Sequence, residues 1–364
     1  MSTSEISNEL NSNDSFASQE QLIINTISTE PIINQDEEIT DDNNFRFTIK
    51  PLNQKYKIFW DLYKKQQDSY WRAEEIDFSN DKYDFENVLD KDEQHFVKMI
   101  LAFFASSDGI VNMNLRERFL NEIQITEAQV AYGFQLMMEN IHGEVYSDML
   151  TNIIEKPSER DFLINSFKNV NSIKRLSDWA IKWINCKTSS LAKRIVAFAI
   201  VEGVFFSGAF ASIFWLKKRR SRGKYFMNGL IKSNRFIARD EGLHTNFACV
   251  LYSFVNNKLS QSEINEIFDE AIDIASEFTQ DAIRCDLIGM NVDLMNQYTK
   301  YVSDRLIVYL GYEKIYNVTN PFDFMESIGL LNKDNFFEMR VDAYQSAYNQ
   351  ENRKDWKFNV LENF

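Results

Sequence analysis

The chain has 364 residues, 44% hydrophobic and 26% charged, with a formal net charge of −14. Only 11 Gly and 4 Pro occur, which excludes a fold of many short strands and tight turns and predicts an all-α chain of long helices. The acidic balance argues against nucleic acid as a ligand, because phosphate binding needs a concentrated basic surface.

Residues 1–45 contain ten acidic residues and no Lys or Arg, so residues 46–364 carry 40 basic groups against 44 acidic ones. Rich in Asn and Ser, this segment reads as a solvated, disordered acidic tail. It lacks the positive start of a signal peptide and the arginines of a transit peptide. Cys186, Cys249 and Cys285 form no C-x-x-C pair, which argues against a disulfide framework or a cysteine-ligated zinc and fits a reducing, cytoplasmic setting.

Past the tail, Phe59, Leu62, Tyr63, Tyr70 and Trp71 have helical spacing within 51–72. Residues 90–120 form the next helix, opened by Asp90 and Asp92, with Asp108 inside its apolar run. Thr126 and Glu127 start a helix running to about Ile154, ahead of Pro157, and shorter helices follow at 158–168 and 173–184. From Ile195 to Leu216, 22 residues hold one charge, Glu202. That length matches a membrane span, but basic residues flank both ends, and a helix buried at the centre of a bundle is the better reading. Lys217 to Lys224 reads as a solvated basic loop, helices at 230–255, 262–289 and 292–311 complete the body, and the last 40 residues read as irregular.

Two of the three histidines share one context: Glu139-Asn-Ile-His142 and Glu241-Gly-Leu-His244. On a helix, a Glu three residues before a His places carboxylate and imidazole on one face, able to reach a common point. Each pair follows a lone carboxylate in an apolar helix, Asp108 before the first and Glu202 before the second. Alone, Asp108 is equally compatible with a helix-interior Asp bonded to a neighbour. Taken together, the six residues match the ligand set of a ferritin-like bundle housing a dinuclear metal site. Oxygen-rich ligation with one His per metal suits iron or manganese rather than zinc or copper. Tyr146 lies four residues after His142 on the same face, and Phe206 and Phe210 follow Glu202 as an apolar wall. Two readings of Tyr146 stand at this point: a phenol oxidised to a protected radical, or a core Tyr bonded to a ligand carboxylate.

Six segments carry a resemblance to a known family: Trp71 to Asp77 (WRAEEID), Leu101 to Asn112 (LAFFASSDGIVN), Glu139 to Tyr146 (ENIHGEVY), Val201 to Gly208 (VEGVFFSG), Arg239 to His244 (RDEGLH) and Asn320 to Met325 (NPFDFM). They are similar to the small, radical-generating subunit of class I ribonucleotide reductase, eukaryotic type, over residues 46–364. The resemblance implies one iron at Asp108, Glu139 and His142 and a second at Glu202, Glu241 and His244, bridged by Glu139 and Glu241. It implies a stable radical on Tyr146, formed with O₂ and passed through His142, Asp240, Trp71 and the tail residue Tyr344 to a cysteine of a large catalytic subunit. Tyr348 competes with Tyr344 for that role. It further implies a homodimer, a domain at 46–335, and a tail at 336–364 that docks on the large subunit through Phe358 to Phe364. The expected activity is that of the small subunit of ribonucleoside-diphosphate reductase, without nucleic acid or membrane as partners. From chemistry alone, a diiron oxygenase or desaturase on the same scaffold is the alternative.

Overall fold

Helix starts follow the capping chemistry written in the sequence. The computed structural model describes residues 38–186, 188–221, 225–283 and 289–325. Within them the chain forms α1 (Lys57–Asp68), α2 (Asp81–Asn87), α3 (Lys91–Asn114), α4 (Thr126–Ile153), α5 (Pro157–Ile164), α6 (Asn171–Asn185), α7 (Leu191–Ile200), α8 (Phe206–Arg220), α9 (Asn228–Ser253), α10 (Gln261–Ala282) and α11 (Val292–Tyr309), with no β-strand among the described residues. Asp90 accepts from the Asp92 and Glu93 amides while Glu93 returns a bond to the Asp90 amide, fixing the start of α3. Ser260 and Glu263 do the same for α10, and Pro157 occupies the first turn of α5.

Two joints depart from regular α geometry. A π turn at Leu115–Phe119 continues α3 to Glu122, and another at Val201–Phe205 joins α7 to α8. A π turn inserts an extra residue into the helical register and swings the following side chains to a new face. The second joint contains Glu202, so the lone charge of the apolar run sits where the helix is locally widened. Gly203 beside it permits close approach: a Cβ there would lie 2.7 Å from Thr245 Cγ2 on α9.

At the centre of the bundle α4 packs on α3 and α9, and α9 on the Val201–Phe205 joint, with α1 on α4 and α10 on α11 beside them. Lys91–Glu122 and Leu191–Arg220 are both long and apolar enough to cross a membrane by length and composition, yet 67% and 89% of their apolar windows are buried in the bundle. Burial in the bundle explains that apolar composition, on most of the first segment and nearly all of the second. At the rear of this core, Arg194 grips Glu122 with two bonds (2.7 and 2.5 Å), and Arg118 Nε lies 3.3 Å from the same carboxylate.

Three expectations change. Residues 38–44, assigned to the acidic tail, form two short 3₁₀ turns, and Ile39 is fully buried, so packing reaches back beyond residue 46. Lys217–Arg220 is the last turn of α8 rather than a solvated loop, and Arg219 and Arg220 both bond the buried Glu93 at the start of α3. Helix α2 was not expected: its Asp81 accepts the Gly229 and Leu230 amides and its Asp84 the Met227 amide, so it caps α9 from across the fold. The remainder of the tail, residues 222–224, Cys285 and everything after Met325 lie outside the described residues.

Candidate metal centre

Asp108 projects from α3, Glu139 and His142 from α4, Glu202 from the π turn, and Glu241 and His244 from α9. All six are at most 2% exposed. They fall into two groups, Asp108, Glu139 and His142 in one and Glu139, Glu202, Glu241 and His244 in the other, each with its ligand atoms within 4.8 Å of one another. Glu139 belongs to both. Its Oε2 lies 3.3 Å from His142 Nδ1 and its Oε1 2.9 Å from His244 Nδ1. Glu241 repeats the pattern, with Oε1 3.1 Å from His142 Nδ1 and Oε2 3.1 Å from His244 Nδ1. Each of these two carboxylates therefore offers one oxygen to each imidazole, the arrangement a bridging ligand requires.

The electrostatics of the cluster are unbalanced without cations. Both oxygens of Asp108, Glu202 Oε2 and His244 Nε2 are buried with no hydrogen-bond partner. Burial, followed by the charge of Glu139, pushes Asp108 well above the ordinary carboxylate range, and burial followed by Glu241 and Glu139 does the same to Glu202. For His244, burial opposes the charged form, but Glu139 and Glu241 outweigh it and raise the imidazole to about 10. His142 is also raised: burial is overcome by its bonds to Asp240, Glu139 and Glu241. Four carboxylates this deep persist only when paired or bound to metal. The oxygen-rich donors, two shared carboxylates and unpartnered atoms fit a pair of hard divalent cations.

A hydrogen-bonded chain leaves the centre on one side. His142 Nε2 lies 3.2 Å from Asp240 Oδ2, and the same oxygen accepts the Trp71 indole N–H at 2.6 Å. Trp71 also stacks on His142, ring centroids 5.9 Å apart at 21°. Arg239 Nε and Nη2, each 3.2 Å from Asp240 Oδ1, hold the carboxylate from behind, and Nη2 also donates to the Ser69 carbonyl. On the other flank Tyr146 is 2% exposed and stacks on Phe104 at 4.6 Å and 9°. Phe104 in turn packs on Phe206 and Phe210, completing the expected apolar wall. Burial raises the Tyr146 phenol well above its ordinary value, and Asp108 is the charge acting on it most strongly.

The structure thus brings together the six expected ligands, Tyr146, Asp240 and Trp71. His95 stays outside, its Nε2 3.0 Å from the Asp281 carbonyl. Tyr344, Tyr348 and Phe358 to Phe364 lie outside the described residues. Sequence reading missed Gln135, whose amide N–H₂ faces Glu202 and Glu139, and Tyr132, fully buried with an unpartnered hydroxyl. Both lie on the ligand face of α4, four and seven residues before Glu139, so the spacing rule that found Tyr146 would have found them if applied backwards.

The profile of the family described as "Ribonucleotide reductase, small chain" matches residues 46–321. The chain belongs to that family. It is 54% identical over 311 residues to the ribonucleoside-diphosphate reductase small chain of Neurospora crassa, covering 85% of this chain and 74% of that protein. It is 53% identical over 311 residues to the small chain of Spisula solidissima, covering 85% and 79%. Among solved structures, the ribonucleotide reductase Rnr4 homodimer of Saccharomyces cerevisiae superposes with a TM-score of 0.72 at 34% identity, covering 88% of this chain and 98% of that one. The eukaryotic-type small subunit of class I ribonucleotide reductase, on a ferritin-like helical fold with a dinuclear metal site, is therefore the setting in which these residues act. The oxygenase or desaturase alternative is not favoured.

Proposed function

We propose that this small subunit of ribonucleoside-diphosphate reductase holds two iron ions per chain, keeps a radical on Tyr146, and passes it through His142, Asp240 and Trp71 to the large catalytic subunit. The observation that carries this reading is the single oxygen of Asp240 shared by Trp71 Nε1 and His142 Nε2, which links a buried indole to a metal-ligating imidazole without a gap. Asp108, Glu139 and His142 would hold one ion and Glu202, Glu241 and His244 the other, with Glu139 and Glu241 across both. When bound, the pair supplies the oxidation of the phenol with O₂ as oxidant.

The protein's own part is dryness, placement and proton handling. Phe104, Phe206 and Phe210 exclude water from Tyr146, which protects an oxidised phenol from reduction. Oxidation makes the phenol strongly acidic, and Asp108, the charge that acts on it most strongly, is the proposed acceptor for its proton. Asp240 can hold a proton between indole and imidazole while Arg239 fixes its orientation. Beyond Trp71 the route is proposed to continue through Tyr344, with Phe358 to Phe364 as two aromatic anchors in a groove of the large subunit. A homodimer in the cytoplasm, with a radical-generating body from about residue 38 to 335 between two tails, completes the reading.

Anaerobic ferrous loading of the metal-free chain, exposure to air and low-temperature electron paramagnetic resonance test it. A tyrosyl signal is expected in the wild type and absent in Tyr146→Phe. No signal in the wild type, or an undiminished one in the variant, would refute the radical assignment. Metal analysis of protein isolated from its native cells decides iron against manganese.

A further inference from the structure

Gln135 is fully buried on α4, one helical turn before Glu139. Its Nε2 donates to Glu202 Oε1 at 3.1 Å and approaches Glu139 Oε1 at 3.4 Å, so one amide spans a ligand of the π turn and a ligand of α4. The amide orientation is dictated by its neighbours, since the reverse would set Oε1 against two carboxylate oxygens. Its own Oε1 is buried without a partner. A buried acceptor left unmet costs stability, and a residue retained only to fill this space would better be Leu or Met.

The two half-sites differ in this respect. Asp108 has no protein partner at either oxygen, whereas Glu202 is held through Oε1 and leaves Oε2 unclaimed. Glu202 also sits on a π turn, which takes its side chain off the regular helical register. We propose that Gln135 is a positioning residue: it holds Glu202 over Glu139 so that Oε2 faces the cation position, preorganising the Glu202, Glu241 and His244 half of the centre before metal arrives. This rests on the dinuclear metal reading above.

The test is anaerobic titration of the metal-free full chain with Mn(II), followed by electron paramagnetic resonance, for wild type and Gln135→Leu. Wild type should take up two ions per chain and give the spectrum of an exchange-coupled pair. In Gln135→Leu the first ion should bind as in wild type with an isolated-ion spectrum, and the second about 10- to 100-fold more weakly, the usual loss when an outer partner of a ligand is removed. Gln135→Met, closer in length and flexibility, takes its place with the same expectations if Leu lowers the helical content. A coupled-pair spectrum and second-ion affinity unchanged from wild type would overturn the role of Gln135 alone. A wild type that takes up no pair would overturn the metal reading and this inference with it.

Discussion

Gly203→Ala tests whether the π turn and α9 set the centre by direct contact. A methyl at 203 would lie 2.7 Å from Thr245 Cγ2, 3.1 Å from Thr245 Oγ1 and 3.6 Å from Leu306 Cδ2. The first contact is about 1 Å inside the carbon–carbon optimum. Thr245 cannot easily turn away: it is 1% exposed, β-branched, and its hydroxyl donates to the Glu241 carbonyl at 2.8 Å. The joint and α9 must therefore separate, at a cost of roughly 1–3 kcal/mol, the usual range for overpacking. Because Glu202 lies on one side of that contact and Glu241 and His244 on the other, the separation also spreads the second group of ligands. Thermal melting and Mn(II) titration of the metal-free chain should show a lower midpoint and a weakened second ion. Thr245→Ala removes both clashing atoms, so the double variant should recover most of the loss, a coupling that distant sites do not show. Wild-type melting of Gly203→Ala, or no recovery in the double variant, would refute the contact argument.

Replacing Asp240 by Asn keeps the shape but removes the negative charge and one of the two acceptor oxygens that serve Trp71, His142 and Arg239, so the Tyr146 radical should form while turnover with the large subunit falls steeply; stopped-flow absorbance and nucleotide reduction assays separate the two. Glu122→Ala leaves Arg118 and Arg194 buried without their carboxylate and should cost about 3–5 kcal/mol in urea unfolding, against nearly nothing for an exposed ion pair. Burial raises the folded-state value of Asp81 from 3.8 to about 6 despite the Leu230 and Gly229 amides it accepts, so the native state binds its proton more tightly than the unfolded chain does. Wild type should therefore lose stability relative to Asp81→Asn as pH rises through that window, with a constant difference above it; a difference flat across the window contradicts the assignment. Cation binding must displace the protons that His142 and His244 hold in the metal-free chain, so affinity should rise with pH, and calorimetry in buffers of different ionisation heat should count the protons released.

The helices and the ligands were legible in the sequence for one reason: both follow helical periodicity. Asp90 with Glu93 marked the start of α3, Pro157 the end of α4, and a Glu three residues before His marked each ligand pair. What was not legible depends on contacts between segments far apart in sequence. The π turns at Leu115–Phe119 and Val201–Phe205 carry no periodicity or composition signal by which the sequence announces them. Arg219 and Arg220 read as solvated until Glu93, more than a hundred residues away, supplies their partner. Gln135 is an ordinary polar residue in the sequence, and only the approach of Glu202 from another helix gives it a function.

The two halves of the centre share donors but not surroundings, and that difference gives the site a direction. His142 is tied through Asp240 to Trp71, while the corresponding nitrogen of His244 meets no protein partner. Tyr146 feels Asp108 most strongly, on the His142 side, whereas Tyr132 feels Glu202 on the other. Tyr146 and the Asp240–Trp71 chain, the proposed seat and exit of the radical, therefore converge on the same group of side chains, through Asp108 and His142 from adjacent helices α3 and α4. Among the described residues the second group, where Gln135 bonds Glu202, shows no comparable hydrogen-bonded chain from its histidine. A ligand set repeated along the chain becomes asymmetric because, among the described residues, only His142 of its two histidines meets an aspartate.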